Sequence, residues 1–308
     1  TSAGGTITFL ALQSIDRIPA MINFTSGISA IESSCKTAEV KTVLTSKAFV
    51  EKAGLESLIL KMKEFVEVVY LEDLRGNITP MDKARALAFA PFWPKTWKSR
   101  RSADDAAVVL FTSGTEGPPK GVVLTHKNLI SNGAQMAALV DFTPQDLVLN
   151  ALPLFHAFGL IPGTLLPLVY GVPVYLYPSP LHFRIVPEIA YDEGATIMFG
   201  TDTFLNRYAK YAHPYNFWRM RYIFAGAEKL RQETREMYFE KYGVRILEGY
   251  GATEASPVVA ANTPMFNKFG SVGRLMPGME MHLTKMKDVE EGKRLQVKGP
   301  NVMQGYLK

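Results

Sequence analysis

Val108-Val109-Leu110-Phe111-Thr112-Ser113-Gly114-Thr115-Glu116-Gly117-Pro118-Pro119-Lys120-Gly121 is the stretch from which the rest of the chain can be read. Its apolar, β-branched start predicts a buried strand. The strand runs into Thr112, Ser113, Gly114, Thr115 and Gly117, then Lys120. Glycines let a backbone come close to a ligand. Successive amides and hydroxyls can then surround phosphate oxygens, and a lysine adds a mobile positive charge. The loop is not a Walker A loop, which ends Gly-Lys-Ser/Thr; here Pro119 precedes the lysine and Gly121 follows it. A glycine-rich surface turn is the plainer alternative. The full run Thr-Ser-Gly-Thr-x-Gly-x-Pro-Lys-Gly, placed directly after a strand, argues against it.

Outward from this loop, apolar strand-like runs alternate with amphipathic helix-like runs. Strands are predicted over 40–45, 67–70, 107–112, 147–152, 172–177, 196–200, 222–225 and 245–250. Helices are predicted over 27–37, 46–53, 55–65, 125–139, 183–193, 202–211 and 230–242. That alternation implies an α/β fold with mainly parallel sheets and helices on their faces. From Gly270 onward, short apolar runs at 279–284 and 294–298 alternate with Gly and Pro turns, which suggests a small antiparallel or barrel-like subdomain. The organisation expected is a partial first α/β subdomain over 1–105, a nucleotide- and acyl-binding α/β core over 106–265 and a β-rich subdomain over 266–308. Both ends read as cut, since residues 7–12 and the final Tyr306-Leu307-Lys308 look like the middle of a fold.

Composition bounds the function. The chain has 308 residues, 47% of them hydrophobic and 20% charged. These are globular proportions with enough chain for a sizeable core, and they exclude a disordered protein. The net charge of +5 suits an ordinary surface, ATP, an acidic partner or an anionic membrane face, with no Lys/Arg run dense enough to argue for nucleic acid. One cysteine, Cys35, permits no internal disulfide and reads as a small buried residue in a reducing compartment. Residues 147–183 carry no Asp, Glu, Lys or Arg. A membrane span needs about 20 apolar residues. This run is interrupted by Pro153, Pro162, Pro167, Pro173, Pro178 and Pro180, and proline breaks helices. Buried strands and helices are the expectation; a membrane transporter is the alternative that only this run suggests.

Three more segments carry chemistry. Pro153-Leu154-Phe155-His156-Ala157-Phe158-Gly159 sets a histidine in apolar surroundings, where a satisfied core histidine competes with a ligand. Phe224-Ala225-Gly226-Ala227-Glu228-Lys229-Leu230 reads as a strand entering a loop or a helix N-terminus, with a glycine that permits stacking on a flat base. In Leu247-Glu248-Gly249-Tyr250-Gly251-Ala252-Thr253-Glu254, Tyr250 supplies an aromatic face, Thr253 a hydroxyl, and Glu254 a hard oxygen of the kind Mg²⁺ takes alongside phosphates.

In this order, the segments resemble the signature of the AMP-binding, adenylate-forming enzymes, which include acyl-CoA synthetases, peptide-synthetase adenylation domains and luciferases. The resemblance covers essentially the whole chain. Within that superfamily, residues 177–188, 199–205, 225–230 and 292–307 are similar to the acyl-acyl-carrier-protein synthetase part of the bacterial 2-acylglycerophosphoethanolamine acyltransferases. The resemblance implies an acyl-CoA synthetase-like large domain and an acid-thiol ligase. A long-chain fatty acid attacks the α-phosphate of Mg·ATP, giving acyl-adenylate, and a thiol of acyl carrier protein, or of CoA, then takes the acyl group. It assigns nucleotide binding to Thr112, Ser113, Gly114, Thr115, Gly117, Lys120, Gly226, Ala227, Glu228, Glu248, Gly249, Tyr250, Gly251 and Thr253, catalysis to Lys120, Thr253 and His156, an acyl pocket to His156, Phe155, Gly200 and Thr201, and the metal to Glu254. Phe158, Phe199 and Phe204 would extend the apolar pocket.

The same resemblance implies a fused lysophospholipid acyltransferase domain in the full-length protein, and a cytoplasmic place, peripheral at the inner membrane of a bacterium. None of His126, His156, His182, His213 and His282 is followed at the fifth position by Asp, the acyltransferase pattern, so that half is not expected here. The family's ribose-binding aspartate, hinge arginine and mobile C-terminal lid with its lysine are expected beyond Lys308. Glu116 stands where many relatives have Ser or Thr. On this reading the piece binds nucleotide weakly and adenylates poorly. A nucleotide-binding protein without catalysis is the alternative of another class, against which the intact Lys120, Thr253 and Glu254 argue.

Overall fold

The computed structural model describes residues 1–92, 100–112, 117–286 and 292–307. Its strands are β1 (Ala20–Met21), β2 (Thr42–Thr45), β3 (Glu67–Tyr70), β4 (Ala106–Thr112), β5 (Lys120–Thr125), β6 (Val148–Asn150), β7 (Val174–Leu176), β8 (Ile197–Gly200), β9 (Tyr222–Ala225), β10 (Ile246–Gly251), β11 (Val258–Ala261), β12 (Arg274–Leu275), β13 (Glu280–Thr284), β14 (Arg294–Lys298) and β15 (Gly305–Tyr306).

A seven-stranded sheet of order β12-β11-β10-β9-β8-β6-β7 forms the centre. From β10 to β7 its strands are parallel, and β11 and β12 add antiparallel at one edge. Parallel strands need both faces covered, and successive side chains point to opposite faces. Leu149, Met198, Ile223 and Ile246 accordingly enter one core, under the helices Ile185–Asp192, Asp202–Tyr211 and Gln232–Tyr242. Their neighbours Val148, Ile197, Phe199, Phe224 and Leu247 enter the other, with Met136 of the helix His126–Ala137.

The second sheet has the order β1-β4-β5-β15. Its core packs Val108, Leu110, Val122 and Leu124 against Phe9 and against Leu154, Leu160 and Ile161. Phe9 belongs to a helix, Ala3–Ser14, capped by the Ser2 side chain. This helix and β1, which runs parallel to β4, reach across the boundary expected near 105. Residues between Ile22 and Tyr70 build a core of their own, with the parallel pair β2–β3 beside Ile31, Cys35, Val50, Ile59 and Met62. Among the described residues of the C-terminal stretch only the antiparallel hairpin β13–β14 stands as its own sheet; β12 and β15 join the two larger ones.

The uncharged run 147–183 becomes β6, a broken helix over 157–169 and β7. The helix is interrupted by a π-turn at Ile161–Leu165 containing Pro162. Thr164 Oγ1 and Asn150 Nδ2 both donate to the Gly159 carbonyl, at 2.9 Å each. Among the described residues no helix is long and apolar enough to cross a membrane.

Candidate functional site

A cavity of about 510 Å³ opens beyond the C-terminal ends of β8, β9 and β10, where parallel α/β sheets place their ligands. Gly226, Ala227 and Glu228 line it from the loop after β9, and Gly249, Tyr250, Gly251 and Thr253 from the end of β10 and the turn beyond. His156, Phe158 and Thr201 form a middle section. Met136, Val140, Phe204, Phe224, Leu247 and Met276 give the remaining wall an apolar surface.

The geometry of the β10 end follows from its glycines. A register shift separates Tyr250 from Gly251 where β10 meets β11. A Cβ at Gly251 would lie 2.4 Å from the Pro257 carbonyl oxygen, so only glycine lets the strands close there. Tyr250 is left 44% exposed, with its ring at the cavity wall. Across the site, a Cβ at Gly226 would stand 3.4 Å from the Phe158 ring, so that ring lies close over the glycine backbone. Ala227 holds a left-handed φ of 65°, a conformation unusual for a residue with a Cβ.

The carboxylates divide by role. Glu228 Oε2 accepts from Thr203 N at 3.0 Å and Thr203 Oγ1 at 2.7 Å, so it tethers the start of the helix Asp202–Tyr211 while its residue lines the cavity. Thr201 is that helix's N-cap. Glu248 lies outside the lining: its buried carboxylate accepts from Leu230 N at 3.0 Å and Arg235 Nη2 at 3.2 Å, so it fixes the loop after β9 against β10. Glu254 stands on the short turn Thr253–Ala255, and its Oε1 accepts from the Tyr306 hydroxyl at 2.8 Å.

The phosphate-type loop lies between β4 and β5. Thr112 and Lys120 face each other across that antiparallel pair. Gly117 has a φ of 100°, open to glycine alone. Ser113, Gly114 and Thr115 lie outside the described residues, as does Glu116. Lys120 is exposed, with its Nζ 5.4 Å from the centre of the Tyr306 ring.

Of the expected acyl-pocket residues, His156 and Thr201 line the cavity. Desolvation by its surroundings holds the His156 imidazole below the usual histidine range, which favours the neutral ring. Phe155 and Gly200 stand behind the wall. Phe155 packs edge-on to Phe24 at 5.2 Å, and Gly200 lies under Leu205, whose Cδ2 would be 2.9 Å from an added Cβ. Phe199 likewise backs the cavity, edge-on to Phe158 and stacked on Phe224. Asn262, Thr263, Met136 and Met276 line the cavity without a local motif to mark them. Tyr306 meets Glu254 from 52 residues away.

Among the described residues no group of three or more His, Cys, Asp or Glu could hold a metal ion. Glu254 could therefore hold a divalent cation only together with oxygens brought by a ligand. The cavity offers an aromatic ring, glycine backbone, a hydroxyl and an apolar wall, and beside it Lys120 and Glu254 meet at Tyr306.

Comparison with known proteins shows the family. The family model described as "AMP-binding enzyme" matches residues 1–307. The chain is 31% identical over 272 residues to a long-chain-fatty-acid–CoA ligase of Yersinia pestis, covering 83% of this chain and 46% of that one. It is 33% identical over 215 residues to a long-chain-fatty-acid–CoA ligase of Salmonella typhimurium, covering 66% of this chain and 38% of that one. Among solved structures, ATP-bound MatB from Rhodopseudomonas palustris superposes with a TM-score of 0.78 at 25% identity, over 100% of this chain and 60% of that one. O-succinylbenzoate coenzyme A synthetase of Bacillus subtilis, in complex with ATP and magnesium ion, superposes with a TM-score of 0.80 at 23% identity, over 100% and 60%. The chain thus spans less than half the length of these curated relatives.

Proposed function

The chain belongs to the AMP-binding enzyme family, and from that premise we propose that it activates a long-chain fatty acid with ATP, giving an acyl-adenylate and pyrophosphate. One observation carries this reading: the slot formed by Gly226, Tyr250 and Thr253 opens into an apolar chamber of Met136, Val140, Phe204 and Met276, with no Lys or Arg among the described residues that line it. A second charge on the acid would find no cation there. Among the described lining residues an amino group would find only Glu228, whose carboxylate is engaged by Thr203. An uncharged alkyl tail fits the chamber.

ATP with Mg²⁺ fits the donor set. Tyr250 and Gly226 offer a stacking face and a close approach for the adenine ring, and Thr253 a hydroxyl for the α-phosphate. Lys120 is the exposed cation at the phosphate loop, and Glu254 would hold the metal with phosphate oxygens completing its shell. When bound, Mg²⁺ withdraws charge from the phosphate oxygens. The chain's own residues do the rest. His156, neutral and lining the middle of the cavity, can orient the acid's carboxylate without quenching its nucleophilic charge. A carboxylate oxygen forms the new bond to the α-phosphorus as the bond to pyrophosphate breaks, and Lys120 and Thr253 stabilise the charge that develops on the transferring group.

In the complete protein the acyl group passes to a thiol with release of AMP. The resemblance of residues 177–188 and 292–307 supports acyl carrier protein as acceptor, in lysophospholipid reacylation at the cytoplasmic face of a bacterial inner membrane with a fused acyltransferase domain. A second reading, transfer to CoA, is supported by the relatives named long-chain-fatty-acid–CoA ligases. Offering both thiols to the complete protein and following AMP release separates the two.

The activation step is tested by thermal shift with non-hydrolysable long-chain acyl-, acetyl- and aminoacyl-adenylate analogues. A ligand that binds only the folded state raises its melting temperature. The expected result is selective stabilisation by the long-chain analogue, reduced in Lys120→Ala and in Thr253→Ala. Equal shifts with all three analogues would remove the long-chain assignment, and no shift in the complete protein would remove the adenylate site itself.

A further inference from the structure

Residues 303–307 form a seam between the two halves of the nucleotide site. Met303 N donates to the Glu254 carbonyl at 2.7 Å, Gln304 N to Val123 O at 3.2 Å and Leu307 N to Gly121 O at 2.8 Å. Leu307 lies on Gly121, the residue after Lys120, where an added Cβ would come within 2.8 Å of Leu307 Cδ1. Strand β15 thereby fixes itself to β5 on one side and to the Glu254 turn on the other. Tyr306 sits at the crossing. Its hydroxyl donates to Glu254 Oε1 at 2.8 Å, and its ring lies under Lys120 Nζ at 5.4 Å from the ring centre.

We infer that Tyr306 is a positioning residue of the nucleotide site: its hydroxyl holds the Glu254 carboxylate toward a metal on the ATP phosphates, and its ring seats the Lys120 ammonium beside it. The inference rests on the nucleotide reading above and adds a residue and a role to it. The chemistry is local. A carboxylate has about four lone-pair sites, so accepting one hydrogen bond at Oε1 leaves Oε2, which has no hydrogen-bond partner among the described residues, for a cation. A hydrogen bond to an ionised acceptor is among the stronger ones and restricts the carboxylate to one orientation. A lysine over an aromatic face keeps its charge while losing the freedom to fold away. Backbone bonds place residue 306 whatever its side chain, so removing the hydroxyl alone separates orientation from folding.

The test is calorimetric binding of ATP to the 308-residue chain, with Mg²⁺ and with EDTA, for the wild type, Tyr306→Phe, Glu254→Gln and the double variant. Phenylalanine keeps the ring under Lys120 and removes only the donor. The Kd for Mg·ATP is expected to rise about tenfold in Tyr306→Phe, as for loss of a bond to a charged group. The Kd for ATP in EDTA should stay within about twofold, the ring being retained. In the Glu254→Gln background, Tyr306→Phe should add no metal-dependent loss, since the two residues act through one contact. Unchanged or tighter Mg·ATP binding in Tyr306→Phe would overturn the inference, and so would an equal loss with and without metal. A wild-type chain that binds no ATP in either buffer overturns the nucleotide reading itself, whereas ATP binding indifferent to Tyr306 overturns only its positioning role.

Discussion

At the scale of single residues the site is set by what each position excludes. Gly251 tolerates no side chain because the Pro257 carbonyl oxygen occupies the space a Cβ needs, at 2.4 Å. Gly251→Ala must therefore push β10 from β11, and a cost of about 1–3 kcal/mol is expected, as for overpacking a closed contact. Calorimetric melting measures it. ATP affinity should fall as well, since Tyr250 precedes the displaced residue. His156 makes a different prediction. Desolvation lowers its pKa in the folded chain, so between that lowered value and the ordinary one of about 6.5 the unfolded state binds more protons. The neutral ring leaves stability undiminished above about pH 6.5, and stability is lost as pH falls through the folded-state pKa. His126 is lowered too, first by desolvation and then by Arg101, and gives the same sign. The comparison that isolates His156 is wild type against His156→Gln: below about pH 6.5 the wild type should lose melting temperature faster than the variant, and parallel curves would contradict the assignment.

At the scale of elements, a buried carboxylate pins the starts of the central strands. Asp146, its side chain 1% exposed, pairs with Arg221 at 2.7 Å and accepts from Thr196 Oγ1 at 2.7 Å and Thr143 N at 2.8 Å. These partners precede β6, β8 and β9. Burial opposes ionisation of Asp146, yet the bonds from Thr196, Thr143 and Arg221 outweigh it and hold the carboxyl below the usual range. Asp146 keeps its bonds from Thr143 and Thr196 when Arg221 is removed but loses its charge partner, so Arg221→Ala should destabilise the chain by about 1–3 kcal/mol in denaturant melts. None of this was legible in sequence, because Asp146 and Arg221 lie 75 residues apart. What was legible is local. β3, β9 and β14 and the helix Asp202–Tyr211 follow the boundaries expected of them, since periodicity and turn residues set them without help from distant chain. The helix Ala3–Ser14 escaped notice because Thr6, Ile7 and Thr8 are β-branched and the helix depends on the Ser2 cap and on Phe9 packing into the second sheet. The helical turns over 157–169 escaped because Pro162 and Pro167 read as breakers; Asn150 and Thr164 stabilise the π-turn there through the Gly159 carbonyl. The site divides the same way. Tyr250 and Thr253 stand where a contiguous motif put them, while Glu248 was turned inward by Leu230 N and Arg235, partners that only the fold supplies.

At the scale of the molecule, the apolar chamber and the central sheet share the same residues. Met136, Phe224, Leu247 and Met276 belong to the core that covers one face of the seven-stranded sheet, and the same residues wall the cavity. The volume of the chamber is thus set by how the helix His126–Ala137 sits on the sheet, and on the proposed function a core residue would also be a selectivity residue. Methionine adapts to irregular spaces at small energetic cost, which would suit a wall that admits a flexible chain. Met136→Phe replaces that adaptable wall with a rigid ring at a position 4% exposed. Stability should change by no more than about 1–3 kcal/mol, the range for core overpacking. The Kd for a long-chain acyl-adenylate analogue should rise about tenfold or more, since losing room for roughly two methylenes at about 0.8 kcal/mol each is enough. The Kd for the acetyl analogue should hold within about twofold, because a ligand that short leaves the far wall untouched. Isothermal titration of both analogues into both proteins decides it: equal losses would place Met136 in general stability alone, whereas a loss confined to the long chain would place the tail against the helix His126–Ala137.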